Sequence, residues 1–175
     1  MPGPSQFGSI VRAKRMSVSP RRDPNFRIDG VTLDDATLAR RSPEIEQERK
    51  VAIYDLLGEN HFHPKGSKGG PYHLILGVAD NRLVFDVRLS DGSEHGRVIL
   101  SLTPFRRLLK DYIGLCESYY AALHEAPARL EAIDMGRRGM HDDGARLLHE
   151  RLEGKISIDF LTARRLFTLL CALSL

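Results

Sequence analysis

Four adjacent arginine pairs, Arg40-Arg41, Arg106-Arg107, Arg137-Arg138 and Arg164-Arg165, are the residues of this chain best suited to holding anions. A guanidinium stays charged at any cellular pH, and its planar fork meets phosphate or carboxylate with two parallel hydrogen bonds. Pairs that converge in space would make an anion site, and Arg106, Arg107, Arg137, Arg138, Arg164 and Arg165 are the candidates. Helical geometry works against convergence. Neighbours on a helix point about 100° apart, so one member of a pair is sent toward solvent and the other along a packing boundary. Asp111, four residues after Arg107, and Glu150, four after Arg146, are also placed for ordinary surface ion pairs.

Three further segments carry chemistry-bearing residues. Met135-Gly136-Arg137-Arg138-Gly139 resembles the Gly-x-x-Gly loop with which KH domains clamp a nucleic-acid backbone, making Gly136 and Gly139 candidate clamp positions. It departs from that pattern by having Asp142 where an apolar residue is usual and a helix where a strand should lead in; a helix kink or helix-helix turn accounts for the glycines better. The stretch from His63 to Pro71 is glycine-rich and basic, but a phosphate-binding P-loop needs Gly-Lys-Ser/Thr leading from strand to helix. Here a helix leads to a strand, so a connector is expected. His61, His63 and His73 could reach one zinc ion only if His73 turned the same way, and no Cys or Glu motif supports them, so no metal is assigned. His141, with Asp142 and Asp143, could act as an acid or base, but no nucleophile is visible beside it. No catalytic residue and no cofactor follow from these patterns.

The elements that must position these groups are legible from period and punctuation. Phe26, Ile28, Val31 and Leu33 suggest a short strand broken at Asp29-Gly30. Ser42 and Pro43 open a helix whose apolar positions include Ile45, Ala52, Ile53, Leu56 and Leu57, closed by Gly58. Residues 72–79, 82–88 and 97–102 alternate as strands, with Asp80-Asn81 and Asp91-Gly92 between them, which predicts an antiparallel meander. Thr103 and Pro104 begin a helix with Phe105, Leu108, Leu109, Tyr112, Cys116, Tyr119 and Leu123 on one face. Another helix is expected from Pro127, broken near Gly136, Gly139 and Gly144. A short strand over 155–159 and a strongly apolar helix capped by Asp159 complete the chain. The fold class is α+β: a small antiparallel meander sheet against four or five helices, in a single domain spanning residues 26–175.

Composition sets limits on function. The 175 residues are 42% hydrophobic and 28% charged, enough for one core. The net charge is +3, yet residues 1–25 alone carry +4, from Arg12, Lys14, Arg15, Arg21 and Arg22 against Asp23, leaving −1 for the remainder. Residues 1–25 read as a disordered basic arm, and the rest as electrically neutral. Two cysteines, Cys116 and Cys171, make no disulfide framework and suggest a reducing compartment. Arg21-Arg22 is not followed by an apolar stretch, so it is no export signal, and no apolar run approaches the roughly 20 residues of a membrane span. A cytoplasmic protein is expected.

Taken together, RRSPEIEQERKVAIYDLL (40–57), GGPYHL (69–74), NRLVFD (81–86), LSLTPFRRLLKDY (100–112), CESYY (116–120), IDMGRRGMHDDGARLLHERLEGKI (133–156) and TARRLFTLLCAL (162–173) resemble the alphaproteobacterial uncharacterised protein family 0262. The likeness spans nearly all of residues 27–173 and brings no reaction, cofactor or catalytic residue to any position. The reading from the residues is therefore a non-catalytic binding or regulatory protein that recognises an anionic or macromolecular partner, such as RNA, the ribosome or an acidic protein, through its paired arginines. The alternative is a small enzyme acting on a phosphorylated metabolite, with His141 or His73 as acid or base. A third role, a homo-oligomer joined through the last helix and Tyr112, Tyr119 and Tyr120, also fits. A pocket holding one His and two Arg favours a small ligand; a flat basic face favours a macromolecule.

Overall fold

The computed structural model describes residues 24–34 and 43–173. Residues 1–23 of the expected arm (1–25), the pair Arg40-Arg41 and the expected cap Ser42 lie outside the described residues. Strand β1 (Ile28–Leu33) is followed by helix α1 (Pro43–Gly58), β2 (Phe62–Pro64) and a meander of β3 (Tyr72–Ala79), β4 (Arg82–Leu89) and β5 (Glu94–Ser101). Then come α2 (Arg106–Glu125), α3 (Leu130–Leu152), β6 (Ile156–Ile158) and α4 (Phe160–Leu173). The chain is α+β, and none of the described helices is long and apolar enough to cross a membrane.

The meander forms because β-branched and aromatic residues alternate and the turns suit its hairpins. Asp80 and Asn81 both take positive φ, 51° and 59°, the left-handed pair that matches the twist of a tight hairpin. β1 extends this antiparallel unit by pairing parallel to β3, giving the sheet order β1-β3-β4-β5. The irregularity expected at Asp29-Gly30 is a register shift between Ile28 and Gly30, and the strand continues through it. Period 2 then sorts the faces: Tyr72, Leu74, Leu76, Leu83, Phe85 and Val87 are buried and join one core with the helices. β2 and β6 make a separate two-stranded antiparallel ribbon.

Two helices depart from the sequence expectation, one at its start and one in its middle. Thr103 begins a short 3-10 turn, yet its hydroxyl accepts from Asn81 Nδ2 at 2.8 Å and caps nothing, because the β3–β4 turn lies beside it. α3 runs unbroken through Gly136, Gly139 and Gly144, since packing against α2 and α4 outweighs the roughly 1 kcal/mol each glycine costs in a helix. At α4 the expectation holds: Asp159 Oδ1 accepts from the Thr162 backbone N at 2.9 Å. Asn60, just past α1, exchanges two hydrogen bonds with the Ile28 backbone and a third with the Leu56 carbonyl, tying the helix to the sheet.

Candidate functional site

Each of the four helices turns a polar stripe toward one place. On α3 the stripe is Asp134, Arg137 and His141, at the i, i+3, i+7 spacing of a single helix face. α1 supplies Glu48, Ala52 and Asp55, α2 supplies Tyr112, Cys116 and Tyr120, and α4 supplies Arg164, Thr168 and Cys171. Period sets each stripe on one face of its helix, and the packing of the four helices brings the stripes together.

At the centre is an ion pair between Glu48 Oε1 and Arg137 Nη1 at 2.5 Å, with side chains only 13% and 18% exposed. Two charges removed this far from water persist only if their remaining donors and acceptors are met. Tyr120 OH donates to Glu48 Oε1 at 3.1 Å, and Tyr112 OH stands 3.5 Å from Oε2. Arg137 Nη2 donates to Asp134 Oδ1 at 2.8 Å, and its guanidinium lies 4.3 Å from the centre of the Tyr119 ring. Burial alone would lower the Arg137 pKa, but the Asp134 hydrogen bond and the Glu48 charge outweigh it and hold the guanidinium above its ordinary value. The same Arg137 hydrogen bond draws the Asp134 carboxyl below its usual range.

His141 is the next link. Its Nε2 lies 2.5 Å from Tyr112 OH and 2.9 Å from Thr168 Oγ1, so it either accepts from Tyr112 or donates to Thr168 according to tautomer. Burial, reinforced by the Arg164 and Arg137 charges, pushes its pKa down to about 4, and the ring is neutral at physiological pH. Burial, with Glu48 adding to it, raises Tyr112 beyond any physiological titration and pushes Tyr120 up to about 12. Burial likewise pushes the Cys116 thiol up to about 11 and raises Cys171, so neither supplies a thiolate nucleophile.

Outside this cluster opens a cleft of about 230 Å³, lined by Glu48, Val51, Ala52 and Asp55 of α1, His141 of α3, and Leu161, Arg164, Arg165 and Thr168 of α4. Arg164 Nε is 3.2 Å from Asp142 Oδ1, but the N–H is off line and, buried, has no hydrogen-bond partner. Arg165 donates to the Glu59 carbonyl at the end of α1.

The structure therefore brings some sequence candidates together and separates others. Arg137, Arg164 and Arg165 gather around His141, which sequence analysis had considered only as an acid or base. Arg138, its side chain 72% exposed, turns outward to Asp134, as the 100° rule requires. Arg106 donates to Asn81 at 2.7 Å, and Arg107, 96% exposed, lies 4.0 Å from Asp111, both at the start of α2 and outside the cleft. Gly136 and Gly139 sit in continuous helix rather than in a loop. Of the residues expected at a subunit surface, Tyr112 is fully buried and most of α4 lies in the core, while Phe160 and Leu161 at the start of α4 are exposed and Tyr119 and Tyr120 are half-buried. His73 bonds Thr32 on the sheet. Among the described residues no group of three His, Cys, Asp or Glu is placed to hold a metal.

His63, stacked on Phe26 at 3.8 Å, lines a second cleft of about 490 Å³ with Lys65, His149, Glu153 and Lys155. Glu48, Asp55 and Thr168 were missed in the sequence. Glu48 had a readable signal, a carboxylate interrupting the buried stripe Ile45, Ala52, Leu56; Asp55 and Thr168 had none.

Residues 25–175 match the model of the Uncharacterised protein family (UPF0262). A UPF0262 protein of Rhizobium etli (strain CIAT 652) is 57% identical over 150 residues, which is 85% of this chain and 95% of the relative. One from Rhodopseudomonas palustris (strain BisB5) is 54% identical over 159 residues, 90% and 98% of the two chains. One from Nitrobacter winogradskyi is 54% identical over 152 residues, 86% and 91%. No solved structure matches. With the family model covering almost the whole chain and relatives this similar, the chain belongs to the UPF0262 family.

Proposed function

We propose that this protein binds a small anionic molecule in the α1/α4 cleft, with Arg164 and Arg165 as the anion-binding pair and the His141 ring and Thr168 hydroxyl beside them. The observation that carries this reading is that Arg164 and Arg165 line one cleft with His141 and Thr168, the Arg164 side chain 31% exposed and its Nε, though 3.2 Å from Asp142 Oδ1, making no hydrogen bond. A ligand phosphate or carboxylate would meet the solvent-facing part of that guanidinium with charge-assisted hydrogen bonds, each worth about 1.5–3 kcal/mol. Pocket-sized chemistry suits the arginines better than a nucleic-acid backbone does: Arg106, Arg107 and Arg138 stand outside the cleft, and residues 26–175 carry a net −1. Two free, buried thiols fit work in a reducing, cytoplasmic setting.

The test is calorimetric titration of the purified chain with inorganic phosphate and a panel of phosphorylated and carboxylated metabolites. Arg164→Ala is expected to weaken the tightest of these about 10–100-fold, the worth of a charge-assisted hydrogen bond, while Lys155→Ala leaves affinity unchanged. Binding undiminished by Arg164→Ala overturns the reading. A catalytic version is favoured by one observation, that His141 lines the cleft beside Arg164 and Thr168, although burial and the neighbouring arginines make its imidazole a weak base. Turnover of a bound metabolite that is lost in His141→Gln while its binding persists would establish catalysis.

A further inference from the structure

Resting on that reading of the cleft, we infer that its ligand is dipolar: a small molecule with a carboxylate or phosphate at one end and an ammonium group at the other. The two walls of the cleft carry opposite charge, segregated by helix. α1 contributes the carboxylates Glu48 and Asp55, seven residues and so two turns apart on one face, and α4 contributes Arg164 and Arg165. Among the described residues no ion pair crosses between these walls. Glu48 pairs back to Arg137 on α3, Arg164 lies against Asp142 on α3, and Arg165 donates to a main-chain carbonyl. Asp55 makes no side-chain hydrogen bond or ion pair among the described residues, and Arg164 Nε, though 3.2 Å from Asp142 Oδ1, makes no hydrogen bond.

Opposite charges that face a common cleft without closing on each other need something to hold them apart, and the buried network supplies it. Glu48 is fixed to Arg137, and Thr168 to His141, so α1 and α4 are both pinned to α3 behind the cleft. A purely anionic ligand would bring its charge toward Arg164 at the cost of repulsion from Asp55, and to a lesser degree from Glu48, whose charge Arg137 offsets. An ammonium at the far pole converts that repulsion into attraction. Val51 and Leu161, each 46% exposed on opposite walls, offer apolar contact to a short carbon stem between the poles. A cleft of about 230 Å³ would hold some seven or eight waters at liquid density, the space of a molecule of about ten non-hydrogen atoms. Amino acids and phosphorylated amino alcohols are of this class.

The experiment is titration calorimetry on the full chain with matched probes: phosphoethanolamine against ethyl phosphate, and 4-aminobutanoate against butanoate. The dipolar member of at least one pair is expected to bind at least tenfold more tightly than its anion-only partner, and Asp55→Asn, an exposed and nearly isosteric change, should remove most of that advantage. Arg164→Ala should weaken both members of the pair. Equal affinity within both pairs, with Arg164 still required, overturns the dipolar inference and leaves the anion cleft standing. No binding by any probe or metabolite, or binding indifferent to Arg164→Ala, overturns the cleft reading and the inference with it. Circular dichroism of each variant confirms that lost binding is not lost folding.

Discussion

The two clefts are lined by similar side chains and differ in what stands behind them. The one beside the β2/β6 ribbon is roughly twice as large and holds Lys65, Lys155, His63, His149 and Glu153. Its two lysines are neighbours because Lys65 N donates to the Lys155 carbonyl at 2.9 Å, yet neither forms an ion pair among the described residues. Their ammonium groups are point charges on flexible stems, free to follow the solvent. In the α1/α4 cleft the lining residues continue inward as hydrogen-bonded groups, from Glu48 to Arg137 and from Thr168 to His141 to Tyr112. Size and charge are thus poor guides to a site; what fixes the direction of a polar group is the shell that supports it.

The largest effect expected from breaking this contrast is at its buried ion pair. Glu48→Gln leaves the Arg137 charge 18% exposed and supported only by Asp134 and the Tyr119 ring, and should cost about 3 kcal/mol in urea denaturation, the lower end for a broken buried pair. Glu153→Gln in the other cleft, at an exposed position, should stay within about 0.5 kcal/mol. Equal losses at the two positions would show that Glu48 is no better supported than a surface acid.

The second effect is a pH dependence confined to the supported cleft. His141 has a folded pKa of about 4, below the ordinary 6.5, so as pH falls the unfolded chain takes up this proton first. Its contribution to stability is complete above pH 6.5, is lost as pH falls from 6.5 through 4, and changes little below that. The loss should be roughly 2 kcal/mol, allowing for the partial exposure of the ring. Denaturation midpoints of wild type and His141→Gln at pH 7, 5.5 and 4 should converge as pH falls; parallel curves would mean that the ring is already solvated in the folded chain.

Which parts were legible in the sequence follows from the range of the interactions. The meander could be read because its signals are local: alternation within 72–79 and 82–88, and Asp80-Asn81 at the turn. The parallel addition of β1 could not, since Ile28 and Tyr72 pair across a long stretch of chain and nothing in either segment states the direction. The arginine pairs were visible as types, and the 100° rule already implied that Arg137 and Arg138 would part. Which of the two turns inward depends on Glu48, a residue 89 positions away whose carboxylate selects it. Asp55 and Thr168 gained meaning only when α1 and α4 packed side by side, because tertiary contact alone makes a wall of a cleft.

A third test sharpens the contrast from the packing side. A Cβ at Gly144 would meet the buried Phe167 ring at 2.5 Å, and that ring also packs edge-on to Tyr112 at 5.6 Å. Gly144→Ala must therefore push α3 from α4 and disturb the His141–Thr168 contact, costing about 1.5 kcal/mol in denaturation. It should also weaken ligand binding in the α1/α4 cleft, since the wall residues move with the helices.

The smallest effect has the opposite sign and comes from the other side of the same helix. Gly139 is exposed, and nothing lies within 4 Å of an added Cβ. In continuous helix Gly139→Ala loses no contact and restricts the unfolded chain, so it should stabilise by about 0.5–1 kcal/mol with ligand binding unchanged. If the Gly-x-x-Gly segment worked instead as a backbone clamp, that side chain would stand between main chain and phosphate, and the substitution would abolish nucleic-acid retention. A rise in melting temperature for Gly139→Ala together with a fall for Gly144→Ala would show that two glycines five residues apart serve different ends: one admits the Phe167 ring that backs the cleft, and the other is a replaceable position on a solvent-facing helix.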